Sequence, residues 1–419
     1  MLAAVNGKQP DRVPIDLGGT AASGINVVAY VRLKRLLGLP VDRVRVFDIF
    51  GMMACVEDDV IEALGVDTML VPSLCPRFGI PIDAWKPWRL RDGTPVQMPV
   101  GFDARQESDG SLLLTVDGEA VGRMPSNEAY FLDVAEADMG GLDALSAPPH
   151  PERVEFPLLS EEDLRFRQEV ARSLYESTDR ALIVDLVDNI RWDTSITNWL
   201  FAMGGDPGRV YELHEKKSLA ILEQVKQLAQ AVGPYVCIFA IYQDYGTQKG
   251  PLIAPATFAG LIVPHYRRAF DWIHANTDWK VLFHSCGSIF DLVPHFIEMG
   301  VDILNPLQVN LEGMEPRRLK KEYGDRLVFW GGGADTQTVL PFGTPEEVRE
   351  QVGERITTLG SGGGYVFTPS QDIQADVPPE NLVAMYEAAR QYGDYPLSGL
   401  AAGSSREATE EVQMATKLG

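Results

Sequence analysis

From about residue 181 to residue 392 the sequence repeats one unit, in which a short apolar run is followed by an amphipathic stretch with helical spacing. Several of the runs are apolar almost throughout, as in parallel strands buried on both faces. The runs cover residues 181–187, 235–242, 280–284, 301–305, 327–330 and 364–368. This alternation predicts a parallel sheet covered by helices.

The helical stretches occupy residues 209–231, 255–275, 289–299, 348–359 and 380–391. Thr344 and Glu347 flank Pro345 in a capping box before the fourth stretch. Two further apolar runs, at residues 13–17 and 68–71, bring the number of predicted strands to eight. Eight parallel strands favour a closed (β/α)8 TIM-type barrel over an open sheet.

The repeat is interrupted between about residues 80 and 151. Asp-Gly turn signals at residues 91–94, 108–111 and 116–119 alternate with short apolar segments, which predicts inserted β-hairpins. Residues 148–151, Pro-Pro-His-Pro, form a stiff linker after them. We expect one barrel domain over residues 1–395 and a mobile Ala-, Gly-, Ser- and Glu-rich tail over residues 396–419.

The charge of the chain argues against two classes of partner. With 37 Lys and Arg against 59 Asp and Glu, the formal net charge is −22 and the pI about 4.7. So acidic a surface repels phosphate backbones and anionic lipid heads, which predicts that the protein binds neither nucleic acid nor membranes. The first 14 residues contain no apolar signal-peptide core. We therefore expect a cytoplasmic protein with reduced cysteines.

The active site of a (β/α)8 barrel lies at the carboxyl ends of its strands, so the polar residues that follow each apolar run are the candidates. They are Asp185 and Asp188, Gln243 and Asp244, His284 and Cys286, Asn305 and Gln308, Gly331 to Asp335, and Ser370 and Gln371. Two or three carboxylates, one imidazole and one thiol should therefore surround one opening.

His284-Ser285-Cys286 is the sharpest local signal. A His and a Cys two residues apart at a strand end can bind a soft metal ion such as zinc together. A chance H-x-C in which Cys286 packs as a small apolar side chain is the alternative.

The carboxylates have two interpretations as well. Asp185 and Asp188 suit acid/base catalysis or cation binding, but equally a helix cap or a surface ion pair. Asp244 favours function, because a carboxylate directly behind a long apolar run is costly unless it is used or paired. Residues 331–333 and 362–364 are glycine triplets without dinucleotide-binding spacing, and the first can present backbone N–H groups to an anion.

Several segments together resemble the uroporphyrinogen decarboxylase superfamily, over about residues 10–392. The matching segments are residues 11–14 (DRVP), 244–248 (DYGTQ) with 251–255 (PLIAP), 284–287 (HSCG), 300–308 (GVDILNPLQ), 330–332 (WGG) and 376–381 (DVPPEN). The resemblance implies a distorted (β/α)8 barrel.

The resemblance also separates two branches of the superfamily. The haem-pathway decarboxylase carries an N-terminal Arg-Gln-Ala-Gly-Arg motif for substrate carboxylates, whereas this chain has Leu17-Gly18-Gly19-Thr20 in that region. The chain is more similar to the corrinoid-dependent methyltransferase branch, in which H-x-C supplies two zinc ligands and a later Cys the third. Here Gln371 stands where that third ligand is expected.

The resemblance implies a methyltransferase that moves a methyl group between a small donor or acceptor and a corrinoid on a partner protein. A tetrapyrrole decarboxylase or a non-catalytic corrinoid or tetrapyrrole binder is the alternative. The predicted metal ligands are His284, Cys286 and Gln371, with Asp244 able to complete the zinc site. The predicted catalytic residues are Asp188, Asp244, Asn305 and Gln308, and the predicted cofactor-binding residues are Gly331, Gly332 and Asp335.

Overall fold

The computed structural model describes residues 1–134, 147–187, 190–191 and 194–397. In these ranges the strands are β1 (Val46–Asp48), β2 (Met53–Ala54), β3 (Thr68–Val71), β4 (Trp85–Arg89), β5 (Pro95–Pro99), β6 (Ala104–Gln106), β7 (Leu112–Val116), β8 (Glu119–Met124), β9 (Leu132–Asp133), β10 (Ala181–Leu186), β11 (Ile238–Tyr242), β12 (Lys280–His284), β13 (Ile303–Asn305), β14 (Val328–Trp330) and β15 (Tyr365–Val366). The predicted tail lies, from residue 398 onward, outside the described residues.

The α-helices of the same ranges lie between and around these strands. They are α1 (Leu2–Val5), α2 (Val27–Leu36), α3 (Asp58–Leu64), α4 (Glu161–Ser177), α5 (Ile196–Gly205), α6 (Pro207–Val232), α7 (Pro255–Leu261), α8 (Val263–Asn276), α9 (Val293–Glu298), α10 (Pro316–Tyr323), α11 (Val339–Phe342), α12 (Pro345–Leu359) and α13 (Pro379–Gly393). None of these helices has the length and apolar composition that a membrane crossing requires.

Seven parallel strands form one curled sheet in the order β15-β14-β13-β12-β11-β10-β3. The predicted strand at residues 13–17 takes the eighth position between the two edges. Ile15 forms a parallel bridge with Phe367, and the carbonyl oxygen of Ile15 accepts the Asp67 N–H at 2.8 Å. These bonds connect both edges of the sheet through one segment, which confirms the predicted barrel class.

Side chains alternate between the inside of the barrel and the helical layer, as the two-residue period of a strand requires. On β12, Leu282 belongs to the inner core, whereas Val281 and Phe283 belong to the outer core beneath the helices. The inner core consists of Val5, Ile183, Ile238, Ala240, Leu282, Ile303, Val328, Trp330 and Val366. Val5 belongs to α1, so the first helix contributes to the apolar filling of the barrel.

The inserted hairpins form where the turn signals predict them. Arg89 pairs with Pro95, Gln106 with Leu112, and Val116 with Glu119. Asp117 and Gly118 both have positive φ, of 51° and 84°, as a two-residue hairpin turn demands. The insertion returns to the barrel where Phe131 donates its N–H to the Phe50 carbonyl at 2.7 Å.

Two predicted helices differ from the prediction for one physical reason. The stretch at residues 255–275 is divided into α7 and α8 at Ile262, and the stretch at 289–299 becomes a 3-10 turn followed by α9. Pro264 and Pro294 occupy the second position of the later helix in each case. Proline lacks the N–H that continues a helix, so each proline starts a new one. The capping box of Thr344 and Glu347 is confirmed.

A buried carboxylate joins the eighth position to two other strands. Asp16 is fully buried and accepts hydrogen bonds from the Thr68 hydroxyl (2.6 Å), the Gly19 N–H (2.9 Å) and the Trp330 indole (2.8 Å). The residues that bond to it belong to β3, to the segment after residue 17, and to β14. A carboxylate in this position is stable only while its donors are present.

We therefore expect Thr68→Val, which keeps the side-chain shape but removes one donor to Asp16, to lower the free energy of unfolding by about 1–3 kcal/mol. Urea unfolding measures this change. Thr115→Val, on the exposed part of a hairpin, is the control and should cost less than about 0.5 kcal/mol. Equal losses for the two variants would contradict a structural role for the Asp16 cluster.

Candidate metal centre and cavity

Strand register brings the predicted site residues into one layer at the carboxyl end of the barrel. Tyr242 pairs with His284, and His284 pairs with Asn305 across the three neighbouring strands β11, β12 and β13. His284 lies two residues after the inward-facing Leu282, so it faces the same side. The alternation that fills the barrel with apolar side chains thus ends with three polar ones.

Asn305 determines which nitrogen of His284 is protonated. The Asn305 amide donates to the Trp330 carbonyl at 3.2 Å, so its oxygen faces His284 Nδ1, at 2.7 Å. That oxygen only accepts, and therefore Nδ1 carries the proton. Burial lowers the pKa of His284, which keeps the ring neutral. The lone pair of Nε2 is consequently available to a ligand, the arrangement found in metal-binding histidines.

Two further donor atoms lie near this lone pair. His284 Nε2 lies 3.1 Å from Cys286 Sγ and 3.7 Å from Asp244 Oδ1. The ligand atoms of Asp244, His284 and Cys286 all lie within 4.8 Å of one another. Burial, reinforced by Asp244, raises the pKa of the Cys286 thiol. A cation between these atoms reverses that effect and favours the thiolate.

Gln371 also contacts this cluster. Its amide nitrogen donates to Cys286 Sγ at 2.8 Å. In this orientation Gln371 supports the sulfur, and Asp244 supplies the oxygen donor beside His284 and Cys286. The role of Gln371 as a metal ligand stays a prediction.

Two glycines fix Cys286 beside Asp244. Gly246 donates its N–H to the Cys286 carbonyl at 3.0 Å, and the Cys286 N–H donates to Asp244 Oδ1 at 2.8 Å. A Cβ on Gly287, whose φ is 96°, would lie 2.3 Å from the Gly246 backbone. The loops after β11 and β12 therefore touch backbone to backbone, which only glycine permits.

A cavity of about 740 Å³ lies beside the cluster and includes Asp244 and His284 in its wall. Four aspartates line it, namely Asp48, Asp185, Asp244 and Asp372, against two arginines, Arg77 and Arg191. Burial raises the pKa of Asp372 to about 7, with Asp48 and Asp16 contributing to the rise and the Gly24 N–H opposing it. Among the described residues, acidic side chains thus outnumber basic ones in the cavity wall.

Two of the other predicted catalytic residues, Asn305 and Gln308, form hydrogen bonds behind the cluster. Asn305 is fully buried behind His284, and Gln308 accepts the Gly287 N–H, so both position the site rather than face the cavity. Asp188 lies outside the described residues. Among the described residues, Asp244 is therefore the one predicted catalytic residue that lines the cavity.

The predicted cofactor-binding residues lie outside the cavity wall. Gly331 and Gly332 pack against the backbone of residues 306–307. The Asp335 carboxylate accepts the Gln337 N–H at 2.8 Å and the Thr338 hydroxyl at 2.6 Å. The Asp335 carboxylate is thus hydrogen-bonded within its own loop, and cofactor binding by Gly331, Gly332 and Asp335 stays a prediction.

Sequence reasoning missed Asp16, Asp48 and Asp372. Asp48 ends a three-residue strand too short to show a period, and Asp372 follows Gln371 beyond the last strand. Asp16 lies inside a predicted strand, where a lone carboxylate among apolar residues was the available signal.

Comparisons with known proteins agree with the residues that form the site. The family model for uroporphyrinogen decarboxylase (URO-D) matches residues 191–392. Uroporphyrinogen decarboxylase of Psychromonas ingrahamii is 33% identical over 72 residues, which are 17% of this chain and 20% of that protein. That of Hahella chejuensis is 26% identical over 187 residues, 45% of this chain and 49% of that protein. The chain thus matches at most about half the length of these relatives.

A solved structure extends the likeness over nearly the whole fold. A methyltransferase from Methanosarcina mazei superposes with a TM-score of 0.56 at 14% identity, over 93% of this chain and 97% of that one. At this identity the likeness concerns the fold. The family match contains Asp244, His284, Cys286 and Gln371. Residues 191–392 are therefore similar to the uroporphyrinogen decarboxylase family, and the chain shares a barrel fold with a methyltransferase.

Proposed function

We propose that this protein is an enzyme that moves a methyl group between a small substrate and a corrinoid carried by a partner protein. The observation that supports this most is the Asp244, His284 and Cys286 cluster at the mouth of the barrel. A nitrogen, a sulfur and an oxygen donor at one opening suit zinc better than they suit acid/base decarboxylation.

The spacing of the donors fits zinc. Ligands of a tetrahedral ion with bonds of roughly 2.0–2.3 Å lie about 3.3–3.8 Å apart. The distance from His284 Nε2 to Asp244 Oδ1, 3.7 Å, lies within that range, and the distance to Cys286 Sγ, 3.1 Å, lies just below it. Three protein ligands leave one position for substrate, as in catalytic zinc sites.

Bound zinc would lower the pKa of a thiol substrate and make it a better nucleophile toward a methyl group. The chain's own residues prepare that position. Asn305 directs the Nε2 lone pair of His284 into the cluster, and the Gln371 amide donates to the Cys286 sulfur. Phe47 and Met53 contribute apolar surface to the cavity wall.

Decarboxylation of a tetrapyrrole is the second candidate, because the curated relatives carry that name. The charge of the cavity opposes it. Uroporphyrinogen carries many carboxylates, whereas the wall has four aspartates and two arginines. Like charges in one cavity cost free energy, so the substrate of the curated relatives fits this site poorly.

Metal content tests the cluster directly. We expect about one zinc ion per chain in protein prepared without chelator and almost none in Cys286→Ala, because the variant lacks one of three donors. Cys237→Ala is the matched control, since Cys237 contacts the Leu182 carbonyl at the opposite end of β11. Mass spectrometry of the metal measures both. Metal-free native protein, or full zinc in Cys286→Ala, would refute the zinc site.

Asn305→Ala tests the positioning of the imidazole. The variant keeps all three donor residues but removes the acceptor that holds the proton on Nδ1. We expect zinc affinity to fall roughly 10- to 100-fold, measured by competition with a chromogenic chelator. Asn310→Ala, on an exposed loop, should leave the affinity unchanged. An unaltered affinity in Asn305→Ala would contradict the positioning role.

The activity itself is tested with free methylcobalamin and a small thiol. We expect loss of the methyl–cobalt absorption band with native protein, and a rate lower by more than about 100-fold in Cys286→Ala. Uroporphyrinogen incubated with the same protein should release no carbon dioxide above background. Rapid decarboxylation without demethylation of methylcobalamin would replace this proposal with the second candidate.

A further inference from the structure

The wall of the cavity beside the metal cluster has the chemistry of a cation site. We infer that the substrate is a small thiol that carries an ammonium group, whose ammonium lies against Asp48 and Asp372 while its sulfur reaches the Asp244–His284–Cys286 cluster. The inference rests on the proposed function and names its substrate class.

The acidic side chains of this wall outnumber the cations that face them. Asp48 and Asp372 are half-buried in the wall, and fully buried Asp16 lies behind it. Asp372 accepts the Gly24 N–H at 2.6 Å and Asp48 accepts the Phe50 N–H at 2.9 Å. These neutral donors orient the carboxylates. Arg77 acts on Asp48 and lowers its pKa against the effect of burial, whereas the charged groups that act on Asp372 are the aspartates Asp48 and Asp16.

The described arginines near this wall interact with residues other than Asp372. The Arg77 guanidinium lies over the Phe50 ring, 4.1 Å from its centroid, at the Asp48 end of the cavity. Arg167 lies behind the wall, and pairs with Asp163 at 2.8 Å and Asp185 at 3.6 Å. Arg191 also lines the cavity and has an electrostatic or hydrogen-bonded partner of its own. Within the part of the chain that the structure describes, no Lys or Arg acts on Asp372, and we therefore assign it to a cation from outside the chain.

An independent observation indicates a ligand in the same cavity. Gln243 lines the wall with 6% of its surface exposed. Its amide nitrogen donates to the Asp244 carbonyl at 3.4 Å, and its side-chain oxygen has no hydrogen-bond partner among the described residues. A buried carbonyl oxygen without a donor costs about 1–3 kcal/mol. An ammonium group supplies the missing N–H.

Aromatic side chains complete the chemistry of this wall. Phe47, Tyr130 and Tyr242 line the cavity together with the aspartates. Ring faces attract ammonium groups, by about 0.5–2 kcal/mol. Tyr242 also pairs in register with His284, so an aromatic ring borders both the acidic wall and the metal cluster.

The acidic wall and the metal cluster are neighbours, which limits the length of the substrate. Asp372 follows Gln371 directly, and the Gln371 amide contacts Cys286. Asp372 also acts electrostatically on the Cys286 thiol, so the two groups are close and the inferred substrate is a short aminothiol. In the transfer an S–CH₃ bond forms, the carbon–cobalt bond of the partner's methylcorrinoid breaks with its electron pair left on cobalt, and the thiol proton passes to water.

Three thiols of equal length separate the effects of charge and sulfur. They are 2-aminoethanethiol, 2-mercaptoethanol and 2-mercaptoethanesulfonate, titrated calorimetrically into the native and the chelator-treated protein. We expect the amine to bind at least about 10-fold tighter than the alcohol, with the sulfonate weakest, in both preparations. Propylammonium, which lacks sulfur, should bind the chelator-treated protein and compete with the amine.

Two variants and one matched control locate the cation. Asp372→Asn and Asp48→Asn should each weaken 2-aminoethanethiol binding about 5- to 10-fold while binding of 2-mercaptoethanol stays constant. Asp271→Asn removes the same charge at a side chain that is 64% exposed and should change neither. Urea midpoints for each variant verify that the fold is intact.

The outcomes distinguish this inference from the proposed function. Tightest binding of the sulfonate, or no effect of both Asp372→Asn and Asp48→Asn in folded protein, overturns the cation site. Should the charge order hold while methylcobalamin is never demethylated, the cation site stands and the proposed function fails. Demethylation with the sulfonate as the preferred thiol supports the function and refutes the inference.

Discussion

The site depends on the register of three parallel strands. Pairing of Tyr242 with His284 and of His284 with Asn305 places an imidazole between a ring and an amide at one level of the barrel. A shift of one residue in β12 would turn His284 into the helical layer and bring Phe283 inward. The side chains of Phe283 and its apolar neighbours are buried between the strands and the helices. Their burial therefore fixes the position of His284. The packing of the core thus also determines the geometry of the site.

Backbone contact extends this constraint to the loops. Gly246 and Gly287 approach each other too closely for any side chain, so the loop that carries Asp244 and the loop that carries Cys286 move as one unit. Gln308 holds the same turn from β13 through the Gly287 N–H. A site that depends on atoms 3–4 Å apart needs this rigidity, because metal ligands must be placed before the ion arrives. The loops after three successive strands thus form one platform.

The sequence predicts the parts of this arrangement that depend on local periodicity. Thr68–Val71 and Lys280–His284 have the predicted bounds, the turns at residues 91–94 and 108–111 form, and the His-x-Cys pair lies at the mouth. Two predicted helices are divided, each by a proline at the second position of the later helix. The proline lacks the N–H that would continue the earlier helix, even though the apolar spacing runs on through it. Asp48 and Asp372 escape sequence reasoning, since only the closure of the barrel brings residues so distant in the chain to one cavity.

Closure of the barrel also explains why proteins of one fold can carry basic or acidic side chains at the barrel mouth. The barrel supplies the frame and the strand-end side chains supply the chemistry, so replacement of a few residues converts a wall for carboxylates into a wall for cations. Here the segment after residue 17 contributes the Gly24 N–H to Asp372 and the Ala21 N–H to the Tyr242 hydroxyl. The resemblance places the arginine motif of the decarboxylase in this region. In this chain the region instead provides a backbone N–H, that of Gly24, which orients the Asp372 carboxylate. The acidic wall and the candidate metal cluster come from different loops, which the closed barrel brings to one opening, and the substrate that we propose would contact both.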